Sequence, residues 1–250
     1  MKSIKLYLGD SHKITKDIVK ANSVDCIFTT PPTFTKSIKD ENSVNQYTDT
    51  MSKYFISIID LLKPNGVLAL DVLNIQGTTI IPRLIYNMTS PVKKYRYIMD
   101  IPIITSRVIS GCGINFSNRK ILLFKKVSAS PTFKMEKELL HSYVWHENFP
   151  VSMKDYVVSS AIKNVKSDSS MLAYHSEGFL FTSRIIKVFC DNGGLMLDPF
   201  MGIGTSTLAC MHDNVNFIGI ELYDRIFKIA VENARSISPH TGYSVEVYGK

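Results

Sequence analysis

Asp198-Pro199-Phe200-Met201-Gly202-Ile203-Gly204-Thr205 stands between two apolar runs. Gly194-Leu195-Met196-Leu197 precedes it and Ser206-Thr207-Leu208-Ala209-Cys210-Met211 follows. That order predicts a strand, a tight glycine turn and a helix. Glycines at 202 and 204 let the backbone turn with positive φ and let a ligand approach without a Cβ in the way. The helix aims its free N–H groups and positive dipole end at whatever sits above the turn. The turn therefore suits a small molecule with an anionic end.

A dinucleotide site would want Gly-x-Gly-x-x-Gly, but the third position is Thr207. The next apolar run, Val215 to Ile220, reads as a second strand with Glu221 at its carboxyl tip, 17 residues after Gly204. An acid there can accept hydrogen bonds from a ribose diol. The pair fits a nucleoside carrying an acidic group, and S-adenosylmethionine better than a dinucleotide. The plainer reading is an ordinary turn beside a surface acid.

The second signal is Val24-Asp25-Cys26-Ile27-Phe28-Thr29-Thr30-Pro31-Pro32-Thr33-Phe34. An apolar strand runs into two prolines, which forbid helical geometry before them and remove two backbone donors. The result is a rigid loop at a strand's carboxyl end, the edge where open α/β sheets bind ligands.

Taken together, the two motifs resemble the DNA amino-methyltransferases of the permuted β class. In that class a Ser/Asp/Asn-Pro-Pro-aromatic loop comes early and a Phe-x-Gly-x-Gly turn late. Leu6-Tyr7-Leu8-Gly9-Asp10 resembles the family's first strand end, whose acid helps hold the cofactor adenine. Leu61-Leu62-Lys63-Pro64-Asn65-Gly66-Val67-Leu68 resembles its helix end and following strand. His175-Ser176-Glu177-Gly178-Phe179-Leu180 and Ser183-Arg184-Ile185-Ile186 resemble the segment before the cofactor turn. The resemblance implies S-adenosylmethionine as cofactor and double-stranded DNA as partner. It implies a cofactor site of Asp10, Thr29, His175, Asp198, Pro199, Phe200, Gly202, Gly204, Thr205, Glu221 and Leu222. The implied catalytic loop is Thr30, Pro31, Pro32, Thr33 and Phe34. A lone histidine such as His175 can equally be structural.

The chemistry follows in part from what is missing. No proline precedes a cysteine, so the Pro-Cys nucleophile of carbon-5 cytosine methylation is lacking. Amino methylation needs no covalent intermediate, only in-line placement and acceptors aimed at the amine hydrogens. By resemblance these are the Thr30 side chain and the Pro31 carbonyl. The target base must be flipped from the duplex and stacked.

Two positions depart from the family. Thr30 stands where Ser, Asp or Asn is usual, and its extra methyl crowds the site. Thr33 stands where an aromatic stacks on the base, and Phe34 is one residue late. A lost stacking partner costs roughly 1–3 kcal/mol of base binding. Cytosine N4 is favoured as target, because Thr30 is closer to serine than to aspartate and Phe179 replaces a lysine common in adenine-type members. Adenine N6 is the alternative. Other readings are a methyltransferase-like DNA-binding protein with weak or no catalysis, and an RNA or small-molecule methyltransferase.

With 250 residues, 45% of them hydrophobic, the chain can bury one full core. A net charge of +7 suits a polyanionic partner, or a lysine-rich solvated surface. Cys26, Cys112, Cys190 and Cys210 lack metal-ligand spacing and read as buried reduced thiols. No secretory or membrane-spanning run is present, so the expected compartment is the cytoplasm or nucleoid.

The expected fold is α/β: a mostly parallel, doubly wound sheet of the S-adenosylmethionine-dependent methyltransferase type with a short inserted recognition region. Residues 1–126 form the catalytic half of one core, 127–171 a target-recognition insert and 172–250 the cofactor half. Strands are expected near 4–8, 24–29, 66–72, 97–104, 120–125, 195–198 and 216–221, with an edge strand over 243–248. Helices are expected over 11–20, 46–62, 80–88, 181–190, 205–212 and 223–236. In the 46–62 helix Tyr47, Met51, Tyr54, Ile58 and Leu61 form a core stripe. The polar loop 35–45 either closes over the flipped base or has no special role. Trp145, Tyr143 and Tyr156 with nearby lysines suit DNA contacts, or an ordinary packed surface loop. The insert is short, which suggests a short target or help from a second subunit or a restriction-enzyme partner.

Overall fold

Fully apolar strands need cover on both faces, and Val24–Thr29 is buried at every position. The computed structural model describes residues 2–32, 40–73, 79–90, 94–104, 119–130, 145–146, 179 and 182–249. Its strands are β1 (Ser3–Leu8), β2 (Val24–Thr29), β3 (Leu62–Leu73), β4 (Tyr95–Ile104), β5 (Arg119–Lys126), β6 (Trp145–His146), β7 (Leu195–Asp198), β8 (Asn216–Glu221) and β9 (Ser244–Tyr248). They run side by side as β6-β4-β5-β3-β2-β7-β8-β1-β9. β1, β2, β3, β7, β8 and β9 are parallel, and β5 pairs antiparallel with both β3 and β4.

Helices cover both faces. On one, Ile4, Leu6, Cys26, Phe28, Ala69 and Phe217 pack against residues of the helices Thr205–His212 and Asp224–Thr241. On the other, Ile27, Leu68, Leu70, Leu122 and Phe124 pack under the helices Glu41–Ser57 and Ile80–Thr89. The expected core stripe is buried in full: Tyr47, Met51, Tyr54, Ile58 and Leu61. The chain leaves β2 toward β3 and leaves β7 toward β8, in opposite directions along the sheet. β2 and β7 thus flank the point where strand order reverses, the place where such sheets bind ligands.

Several boundaries differ from expectation. The second helix begins at Glu41, not Gln46, and residues 41–45 of the expected polar loop are its first turns. Asp40 caps it: its Oδ1 accepts from Ser43 N at 2.8 Å while its own N–H donates to Ser43 Oγ at 3.1 Å. Serine in place of the usual Glu or Gln conceals this capping box in the sequence. That helix ends at Ser57, a short 3₁₀ turn covers Ile59–Leu61, and β3 already begins at Leu62, so Leu62-Lys63-Pro64 is strand rather than helix end. The last helix runs to Thr241 through Pro239. The proline has no N–H for the Arg235 carbonyl, which accepts from Ser238 Oγ at 3.2 Å instead.

At the amino edge of the sheet, buried Asp25 binds three strands together. Its carboxylate accepts from Lys63 Nζ at 2.7 Å and from Leu195 N at 2.8 Å. A buried carboxylate is tolerated when paired in this way. Cys26 and Cys210 are buried. Among the described residues no helix is long and apolar enough to cross a membrane, and no group of three or more His, Cys, Asp or Glu could hold a metal ion.

Candidate functional site

The carboxyl ends of β1, β8, β7, β2 and β3 form one edge, and the two sequence motifs meet there. β7 lies between β2 and β8, with Ile27 opposite Leu197 and Asp198 opposite Gly219. Thr29, the last residue of β2, donates its hydroxyl to Asp198 Oδ1 at 2.7 Å. The residue before the proline loop therefore touches the residue that opens the glycine turn, 169 positions later. Ser206 Oγ donates to Asp198 Oδ2 at 2.7 Å, and Phe200 N to Oδ1 at 3.1 Å. Burial pushes the Asp198 carboxyl up to about 6, against the pull of these three donors and with a further push from Glu221.

The glycine turn adopts the expected conformation. Gly202 has φ of 57° and Gly204, the helix N-cap, has φ of 85°. The two differ in surroundings. A Cβ on Gly204 would lie 3.1 Å from Ala230 Cβ, whereas a Cβ on Gly202 would meet no heavy atom within 4 Å. Gly204 is a packing position, and Gly202 faces open space. Gly202 N donates to Glu221 Oε2 at 3.1 Å, and Tyr223 N to Glu221 Oε1 at 2.8 Å. Each carboxylate oxygen keeps a second acceptor site, so Glu221 can still receive a diol. Pro199 and Glu221 are buried, Phe200 and Thr205 are half-buried, and Leu222 is exposed.

Asp10 follows β1 beside Glu221, since Gly9 N donates to the Glu221 carbonyl at 2.9 Å. It caps the helix Ser11–Ile18 by accepting from His12 N at 3.0 Å. A line of groups thus runs along the edge: proline loop, glycine turn, Glu221, Asp10. It offers an open cradle at Gly202 and a paired but unsaturated carboxylate at Glu221.

Thr30 is exposed, Pro31 buried and Pro32 exposed. Thr30 Oγ1 donates to Asp71 Oδ2 at 3.1 Å. Asp71 lies in β3 and is almost fully buried. Sequence reasoning missed it, although a carboxylate inside the apolar run Leu68-Ala69-Leu70-Asp71-Val72 was the available signal. His12, Tyr54 and Phe200 were missed as a group: His12 lies 4.5 Å from Tyr54 and 6.2 Å from Phe200 between ring centroids. Phe179 is buried and packs edge-on to His212 at 5.6 Å. Thr33, Phe34 and His175 lie outside the described residues, as do Tyr143, Tyr156 and most of the expected insert.

The chain is similar in sequence and fold to known DNA methyltransferases. Residues 178–232 match the N6/N4 methyltransferase family model described as DNA methylase. The Type II methyltransferase M.BglI of Bacillus subtilis is 35% identical over 57 residues, 23% of this chain and 16% of that protein. The fold is that of solved DNA methyltransferases. The PvuII cytosine-N4-specific enzyme superposes with a TM-score of 0.71 at 13% identity, over 98% of this chain and 95% of that one. The M1.HpyAVI–S-adenosylmethionine complex superposes with a TM-score of 0.60 at 21% identity, over 92% and 98%.

Proposed function

We propose that this chain is an S-adenosylmethionine-dependent DNA methyltransferase acting on an exocyclic amine, with cytosine N4 favoured over adenine N6. The observation that carries the reading is the Thr29–Asp198 hydrogen bond, which brings the proline loop and the glycine turn to one sheet edge. The family match over residues 178–232 and the solved methyltransferases of the same fold support it. Asp10, Phe200, Gly202, Thr205, Glu221 and Leu222 would hold the cofactor, with Gly204 packing the turn against Ala230 and Thr29 bonded to Asp198. When bound, S-adenosylmethionine supplies an electrophilic methyl group.

The chain's own residues prepare the amine. The Thr30 hydroxyl hydrogen points at Asp71, which leaves lone pairs on Oγ1 to accept an amine hydrogen. Polarising the amine in this way stabilises charge that develops at its nitrogen. The proton lost from nitrogen has a route, onto Thr30 Oγ1 as the hydroxyl proton passes to Asp71 Oδ2. The Pro31 carbonyl would be the second acceptor. Because Phe179 is a core residue, the preference for cytosine rests on Thr30 alone.

Incubation with methyl-labelled S-adenosylmethionine and mixed-sequence duplex DNA, followed by nucleoside mass spectrometry, tests the proposal. N4-methylcytosine is expected. N6-methyladenine would move the target to adenine, and no product despite cofactor binding would favour the idle DNA-binding reading.

A further inference from the structure

Among the described residues at this edge, His12 is an exposed group to which the function proposed above gives no task. His12 follows Asp10 in the first turn of the helix Ser11–Ile18 and its side chain is exposed. Its ring is nonetheless placed. The Asp10 carboxylate accepts from His12 N at 3.0 Å, and the ring lies 4.5 Å from Tyr54 at 38° between planes. Tyr54 is itself fixed, by a 2.9 Å hydrogen bond with Thr15 Oγ1 and by Phe200 at 5.5 Å. His12 is therefore the exposed end of an aromatic series, His12–Tyr54–Phe200, whose other end belongs to the glycine turn.

The order of groups along the edge decides what such a wall would touch. Glu221 is bonded on one side to the glycine turn through Gly202 N and on the other to the Asp10 loop through Gly9 N. A nucleoside with its ribose at Glu221 and its charged tail at the glycine turn has one direction left for its base, the Asp10–His12 side. A flat, weakly polar ring system gains most from an aromatic wall in offset or tilted contact. An imidazole adds a ring nitrogen that can donate or accept at the base edge. We infer that His12 is a base-contacting residue of the cofactor site and sets affinity for the adenine end. The inference rests on the function proposed above.

Calorimetric titration with S-adenosylhomocysteine and with 5′-methylthioadenosine, which lacks the amino-acid tail, tests it. His12→Ala should weaken both by a similar factor, about tenfold. His12→Phe, which keeps the ring, should restore most of the loss for both. The melting temperature of the ligand-free variants should match that of the parent, because His12 is exposed. Binding of both ligands unchanged in His12→Ala would overturn the inference, as would a loss confined to S-adenosylhomocysteine, which would place the residue at the tail. If the parent protein bound neither ligand, the cofactor assignment would fall and the inference with it.

Discussion

Thr30 and Asp71 act as a pair across two strands, and that pairing dictates how substitutions should divide. Thr30→Ala removes the acceptor for the amine but touches nothing at the glycine turn, so turnover should fall by about 10²-fold or more while cofactor affinity holds. Asp71→Asn should produce a similar loss, because an amide can turn a donor toward Thr30 and reverse its hydroxyl. Single-turnover methyl transfer read beside calorimetry checks both, and equal losses in rate and affinity would refute the assigned role. Asp198 yields a pH prediction. Its folded carboxyl titrates near 6, above the ordinary carboxylate range. Protonated Asp198 therefore favours the folded state, and that contribution fades as pH rises through about 6. Asp198→Asn is neutral throughout. Its melting temperature relative to the parent, both without ligand, should climb from about pH 4 to about pH 6 and level off above, on top of a constant offset for the altered hydrogen bonds. A falling difference over that range would show that burial does not govern this carboxyl. Most of these residues were legible in the sequence because glycine and proline announce themselves. Asp71 and His12 were not, because their roles depend on partners 41 and 42 positions away, Thr30 and Tyr54.

The glycine turn joins β7 to its helix, and its two glycines serve that joint differently. Gly204→Ala places a methyl 3.1 Å from Ala230 Cβ at a φ of 85°, so the protein should lose about 1–3 kcal/mol of stability. Gly202→Ala bears only the backbone strain, about 1–2 kcal/mol, because nothing lies within 4 Å of the new methyl. It should instead weaken cofactor binding, since the methyl stands where the cofactor must approach. Thermal unfolding and calorimetry on both variants would separate the two roles, and a reversed ranking would contradict the geometry. Strands at this scale were read well because β2, β7 and β8 are short apolar runs with unambiguous ends. The helix Glu41–Ser57 was read five residues late because its cap uses Asp40 and Ser43, and its first turn is polar on every exposed side.

Across the whole molecule, a net charge of +7 and a sheet edge lined by Thr30, Asp71, Asp198 and Glu221 divide the work. In the proposed reading Glu221 serves the cofactor and Asp71 the target amine, so phosphate contacts would come from basic residues elsewhere. Affinity for a mixed-sequence duplex should fall steeply and log-linearly as salt rises, and a flat response would exclude phosphate neutralisation as the source of binding. The doubly wound arrangement was legible because strands and helices alternate in sequence, and so was the place of each motif at a strand's carboxyl end; the strand order that makes β2 and β7 neighbours was not. The antiparallel placement of β5 between β3 and β4 was not, since nothing local encodes which neighbour a strand selects. The central pairing of β2 with β7 also has a meaning for biosynthesis. At about 5–20 residues per second, a ribosome needs on the order of ten seconds or more to deliver β7 after β2. Throughout that interval the nascent chain presents an apolar strand with one bare edge, which chaperones or early partners would have to shield.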